Sequence, residues 1–129
     1  MTSYLLDTNA FAMALTDDPR LPTHARSVMA TADRLAVSVI SLYEIGQKVR
    51  LGKWPEMDPH VHTLDQRASS DGYDLVPLTG AASLRAALLD WDHRDPFDRM
   101  IAAMAQQEKL PVVSSDAAFD DIGIARHWD

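Results

Sequence analysis

Short apolar, β-rich runs alternate with longer stretches of helical spacing along the whole chain, and that alternation leaves few folds open. The runs are Tyr4-Leu5-Leu6, Leu35 to Ile40, Leu75 to Leu78, Val112-Val113 and Ala125 to Trp128. Between them, residues 9–15, 22–31, 41–52, 59–70, 80–91 and 96–109 have helical spacing or composition. Strands separated by helices pair in parallel, because a helical crossover returns the chain to the edge it left. The expectation is an α/β/α sandwich, a parallel sheet of about five strands with helices on both faces. Turn residues at Asp17-Asp18-Pro19, Gly52, Ser69-Ser70-Asp71-Gly72 and Pro111 agree with these boundaries. None resembles an interdomain linker, so residues 1–129 are expected to form one domain. The last long helix is expected to bury a stripe of Phe97, Met100, Ile101 and Met104.

There is no cysteine, which excludes disulfides and thiolate metal sites. The N-terminus lacks the basic start and apolar stretch of a secretory signal, and no apolar run spans a bilayer, so the expected location is cytoplasmic. With 12 basic residues against 19 acidic ones and a net charge of −7, the chain does not bind nucleic acid through a basic surface alone. Divalent cations held by the acids would reverse the local charge where a phosphate arrives.

In an open parallel sheet, ligands bind at the carboxyl ends of the strands, so polar residues just after the apolar runs are candidates for chemistry. Asp7 follows Tyr4-Leu5-Leu6, Glu44 follows Val39-Ile40-Ser41 by three residues, Asp116 follows Val112-Val113-Ser114-Ser115, and Asp98 opens the helix before that last strand. Each has a plainer explanation. Ser41-Leu42-Tyr43-Glu44 fits a capping box, and Glu44 could pair with Lys48 one turn on. Asp95-Pro96-Phe97-Asp98 reads as an N-cap, a proline at the first helical position and an acid complementing the helix dipole. Asp7 and Asp116 could be ordinary loop acids.

Capping does not require that all four acids reach one edge of one sheet. Carboxylates about 5 Å apart repel by roughly 3 kcal/mol per pair at an effective dielectric of ~20, so a fold that gathers them needs compensation. A hard divalent cation, Mg²⁺ or Mn²⁺, is the compensation that an all-oxygen set suits. The histidines show no ligand pair: His60 and His62 are two apart, and His24, His93 and His127 stand alone.

In order along the chain, Leu6-Asp7-Thr8-Asn9, Ser41-Leu42-Tyr43-Glu44-Ile45, Asp95-Pro96-Phe97-Asp98-Arg99 and Ser115-Asp116-Ala117-Ala118-Phe119 resemble the motifs of PIN-domain nucleases. The stretches Glu44 to Lys53 and Asp95 to Arg99 are similar to VapC-type toxins of bacterial toxin–antitoxin pairs. The resemblance covers essentially the whole chain. It implies a PIN-like fold, endonucleolytic cleavage of RNA with Mg²⁺ or Mn²⁺, a cognate antitoxin and homodimers. Carried over residue by residue, the catalytic, metal-binding acids fall on Asp7, Glu44, Asp98 and Asp116. Asn9 and Ser114 become supporting groups that hydrogen-bond them, with Ser114 where the family more often has threonine. Asp95 competes with Asp98, and Asp120 or Asp121 could add an outer ligand.

Lys48, Arg50 and Arg99 are candidate RNA contacts, with Lys53 and Arg94 nearby; each could equally be a solvated surface charge. Trp54, Met57, Val61 and Leu64 form either an interface or core. A receiver-like phospho-acceptor domain also clusters aspartates around Mg²⁺, but it wants adjacent acids after the first strand and a late lysine, where this chain has Asp7-Thr8-Asn9 and Ser114-Ser115-Asp116. A catalytically silent binding module of the same fold is the other alternative.

Overall fold

The computed structural model describes residues 1–129. Five strands, β1 (Ser3–Leu6), β2 (Arg34–Ser38), β3 (Asp74–Val76), β4 (Val112–Val113) and β5 (Arg126–His127), form one sheet in the order β3-β2-β1-β4-β5. Every pairing is parallel, with Leu5 opposite Ala36 on one side and Val112 on the other. Helices α1 (Thr8–Leu15) and α2 (Thr23–Thr31) join β1 to β2, α3 (Val39–Arg50) and α4 (Leu64–Ser70) lead to β3, and α5 (Gly80–Leu88) and α6 (Pro96–Glu108) lead to β4.

Successive strand residues point to opposite faces, and the core divides accordingly. Leu6, Val37 and Val113 bury on one face with Phe11 of α1, Ile45 of α3 and Leu64 of α4. Leu5, Ala36 and Val112 bury on the other with Ala82 of α5 and Ile101 of α6. Two cores on one sheet make the three-layer α/β/α sandwich expected from the alternating pattern. Because the chain winds outward from β1 in one direction and from β4 in the other, the order reverses between these two strands. The carboxyl ends of β1 and β4 therefore flank the crevice where such sheets bind ligands.

Several boundaries differ from the pattern reading. Val39 and Ile40 are helical rather than extended, because Ser38 ends β2 and its hydroxyl caps α3 by accepting from the Ile40 amide at 3.0 Å. An apolar run entering a buried helix looks the same as one finishing a buried strand. This also corrects the capping box: Ser41 lies inside α3, buried, and accepts a hydrogen bond from Thr8 Oγ1 at 2.9 Å. Residues 59–70 are not one helix, since 3₁₀ turns at Pro55–Met57 and Val61–Thr63 precede α4. In α6 the buried face centres on Ile101 to Ala105, while Phe97 and Met100 are half-buried. The small side chains of Ala102, Ala103 and Ala105 let that helix lie close against its neighbours. Met57 and Leu64 are core residues, and Trp54 and Val61 pack against them, so this segment is not an exposed interface. No helix is long and apolar enough to cross a membrane.

Candidate metal centre

Asp7 stands where β1 ends and α1 begins. Its Oδ1 accepts the Ala10 amide at 2.9 Å, which makes it the N-cap of α1, and its Oδ2 accepts the Ser114 hydroxyl at 2.5 Å. Ser114 Oγ in turn accepts the Asp116 amide at 2.9 Å, so one buried hydroxyl ties the end of β1 to the end of β4 across the crevice. Asp116 caps the 3₁₀ turn Ala117–Ile122 by accepting the Ala118 amide at 3.0 Å through Oδ1. Its Oδ2 faces the crevice, 3.8 Å from His93 Nε2.

Because α6 runs back toward the start of β4, its first turn lies at the same edge. Asp95 caps it, accepting the amides of Phe97 at 2.9 Å and Asp98 at 3.4 Å. The Asp98 side chain is thus spared capping duty, and its Oδ2 meets His93 Nε2 at 2.7 Å. Glu44 is buried in the second turn of α3, where Oε2 accepts Lys48 Nζ at 2.6 Å and Oε1 has no partner.

The four predicted acids reach one edge, but they are not equivalent. One donor atom each from His93, Asp98 and Asp116 lies within 4.8 Å of the other two, in a half-buried group open to solvent. Asp7 and Glu44 are its buried neighbours, at 5% and 4% exposure, and act on the group electrostatically. Burial pushes the Asp7 carboxyl up to about 6, opposed by its bonds from Ser114 and Ala10 and reinforced by the charges of Asp98 and Glu44. Burial raises Asp98 as well; His93 opposes this, and Asp95 and Glu44 add to it. The repulsion expected of gathered carboxylates is therefore present in the fold.

The donor set fits a divalent cation. A carboxyl oxygen buried without a hydrogen-bond partner is costly, and Glu44 Oε1 is such an atom, with Lys48 meeting only the other oxygen. Several carboxylates converging from β1, α3, α6 and β4 match the oxygen preference of Mg²⁺ and Mn²⁺.

Asp7 supplies a pH test. Its acid is easier to protonate in the folded state than the ordinary value of 3.8, so folding is favoured by the neutral form, and that contribution is lost as pH rises from about 3.8 through about 6. In chelator, stability is expected to fall by about 3 kcal/mol across this window, from two pKa units at 1.36 kcal/mol each. Asp7→Asn removes that slope; urea midpoints at a series of pH values check it, and an unchanged slope rejects the assignment.

Ser114 and Asn9 were both expected to support the acids; Ser114 hydrogen-bonds Asp7, whereas Asn9 lies elsewhere. The Asn9 side chain is exposed, hydrogen-bonds none of the acids and lines a separate cavity of about 550 Å³ with Trp54 and Met57. Its neighbour Thr8 does the structural work, tying α1 to α3 through Ser41. Arg99, a candidate RNA contact, has its guanidinium on five backbone carbonyls between Ala86 and His93. Lys48 is held by Glu44 and lies 5.5 Å from the centre of the Trp54 ring, while Arg50, Lys53 and Arg94 are exposed. His93 is the site residue that sequence reading missed, since a lone histidine in an irregular loop has no periodicity to place it.

Lys48 competes for the carboxylate that a cation would use. Lys48→Met is expected to raise Mg²⁺ affinity several-fold, by removing a positive charge 2.6 Å from the acid. Titration calorimetry measures it, and weaker binding would show that Lys48 orients Glu44 toward the cation instead.

The PIN-domain family model matches residues 4–125. The chain belongs to the PIN-domain family. No curated protein matches its sequence. Among solved structures, this PIN domain is similar to VapBC2 from Rickettsia felis bound to promoter DNA, with TM-score 0.69 and 17% identity over 99% of this chain and 100% of that one. It is similar to VapC20 from Mycobacterium tuberculosis, a sarcin–ricin loop cleaving toxin, with TM-score 0.68 and 14% identity over 98% and 99%. DNA-bound VapBC from Salmonella typhimurium gives TM-score 0.66 and 18% identity over 98% of each chain. At these identities the likeness is one of fold.

Proposed function

We propose that this PIN domain is a Mg²⁺- or Mn²⁺-dependent endoribonuclease, the toxin of a toxin–antitoxin pair. The observation that carries the metal reading is the buried, unpartnered Glu44 Oε1 beside three further carboxylates at the sheet's switch point. The family supports a nuclease, and the structural likeness to VapC20 and to VapBC complexes supports the toxin role, an RNA substrate and a cognate antitoxin.

When bound, the cation supplies Lewis-acid activation of water and charge neutralisation at the scissile phosphate. The residues of the chain do the positioning. Asp98 and Asp116, half-exposed, face the substrate side, while Asp7 and Glu44 close the site from within the protein. Ser114 fixes Asp7 and the Asp116 backbone in one register, so the carboxylates at β1 and β4 need little reorganisation on loading. The exposed Arg50, Lys53 and Arg94 remain as basic groups for flanking phosphates. Removing Arg50 together with Lys53 is expected to flatten the salt dependence of RNA binding, and an unchanged slope rejects that role.

The deciding experiment is sequencing of RNA ends after brief expression of the parent and of Asp7→Asn. Discrete new ends confined to the parent are expected. Identical end profiles would reject the ribonuclease reading and favour a binding module. Co-purification with the product of an adjacent small reading frame tests the antitoxin, and light scattering tests the homodimer.

A further inference from the structure

The geometry points to His93 as an imidazole ligand that completes the cation site, making it a mixed nitrogen–oxygen centre that favours Mn²⁺ over Mg²⁺. This inference rests on the metal reading above and goes beyond the four acids.

His93 Nε2 lies 2.7 Å from Asp98 Oδ2 and 3.8 Å from Asp116 Oδ2, so it faces two carboxylates that belong to different elements. Around a six-coordinate ion with bonds of about 2.1 Å, adjacent donors are about 3 Å apart and opposite ones about 4.2 Å. Both observed separations fall close to that range, and one donor atom from each of the three residues lies within 4.8 Å of the others.

The imidazole is also held there. Arg99 Nη1 donates to the carbonyl oxygens of Trp91 at 2.8 Å and His93 at 2.9 Å, which fixes the loop backbone from beneath. The Trp91 ring packs 4.7 Å from the His93 ring and 5.8 Å from buried Phe119. A surface histidine that merely solvated a carboxylate would not need clamping on both backbone and ring. A second, independent observation is the buried and unpartnered Glu44 Oε1, whose charge acts on Asp98. Mn²⁺ is the weakest nitrogen binder of the first-row divalent metals and also takes oxygen ligands, but it gains more from an imidazole than Mg²⁺, which prefers oxygen and retains its waters. A nitrogen donor therefore separates the two ions where carboxylates alone do not.

The test uses the full chain. Mn²⁺ and Mg²⁺ affinities are measured by titration calorimetry for the parent, His93→Gln and His93→Ala, and the Mn²⁺-loaded parent is examined by pulsed electron paramagnetic resonance. Glutamine retains a donor for Asp98 but offers no ring nitrogen. The expected results are an imidazole ¹⁴N coupling in the parent, and in both variants a loss of about tenfold or more in Mn²⁺ affinity with less than about threefold change for Mg²⁺. Tight Mn²⁺ binding without ¹⁴N coupling, or equal affinities in the parent and variants, overturns the ligand role and leaves the carboxylate site standing. Failure of the parent to bind either cation overturns the metal reading as well. The spectroscopic arm needs no variant, so a misfolded substitution does not obscure the outcome.

Discussion

Asp98→Asn is expected to lower RNA cleavage by at least about 10³-fold while leaving the folded protein as stable as the parent in metal-free buffer, or more so. On the proposed function, the activity loss follows from removing a carboxylate from the group that would meet the scissile phosphate, where a bound cation would supply several kcal/mol of transition-state stabilisation and each ~1.4 kcal/mol is tenfold in rate. The stability outcome follows from local structure. Asp95, not Asp98, accepts the amides at the start of α6, so no cap is lost. Burial raises the Asp98 carboxyl, so its charge is a cost to the folded chain. The acid's favourable interaction with the helix N-terminus is worth about 0.3–1 kcal/mol and opposes this, which keeps the net change small. Asparagine can also still hydrogen-bond His93. Added Mg²⁺ should raise the melting temperature of the parent and leave the variant's nearly unchanged. A metal-free loss above about 2 kcal/mol would instead make Asp98 a structural acid. Asp95→Ala should show the opposite profile, losing about 1 kcal/mol of cap.

The layered fold was legible in the sequence because its strands are buried on both faces. Leu5-Leu6, Ala36-Val37 and Val112-Val113 each send one residue into each core, and such pairs read as short unbroken apolar runs between helices. The acids were legible for the same reason, since each follows a strand or opens a helix at the edge the topology dictates. What sequence could not distinguish was the duty of each acid. Asp95 caps α6 as expected, but the capping box of Ser41 with Glu44 does not form, and Asp7 and Asp116, which could have been ordinary loop acids, are N-caps as well. Strand-to-helix junctions are so short here that an acid just past a strand is already an N-cap, which spacing in the sequence does not reveal. His93 and the inward turn of Arg99 depend on the path of residues 89–95, which have no regular structure and so no periodicity to read.

Arg99→Ala should cost about 3–4 kcal/mol of stability, a larger loss than for any of the site acids, because the side chain binds the backbone of a loop whose other anchors are the packed side chains of Leu89 and Trp91. Its Nε donates to Ala86 O at 2.9 Å, Nη1 to Trp91 O and His93 O, and Nη2 to Leu89 O at 2.7 Å and Ala87 O at 3.5 Å. The Ala86 and Ala87 carbonyls belong to the last turn of α5, where a helix leaves acceptors unfilled and favours a cation. The others belong to the loop that carries His93. Charge-assisted bonds contribute about 1.5–3 kcal/mol each when isolated, but five on one half-exposed group share that gain and are not additive. Arg99→Lys should recover less than half, because a single ammonium cannot reproduce the planar fork. Urea midpoints measure the loss, and amide exchange should locate the loosening at residues 86–93. A phosphate contact would behave differently: lysine would substitute well, stability would move by less than about 1 kcal/mol, and the salt slope of RNA binding would fall by roughly one unit on Arg99→Ala. The five inward bonds therefore make stability, rather than RNA affinity, the quantity that this substitution changes first.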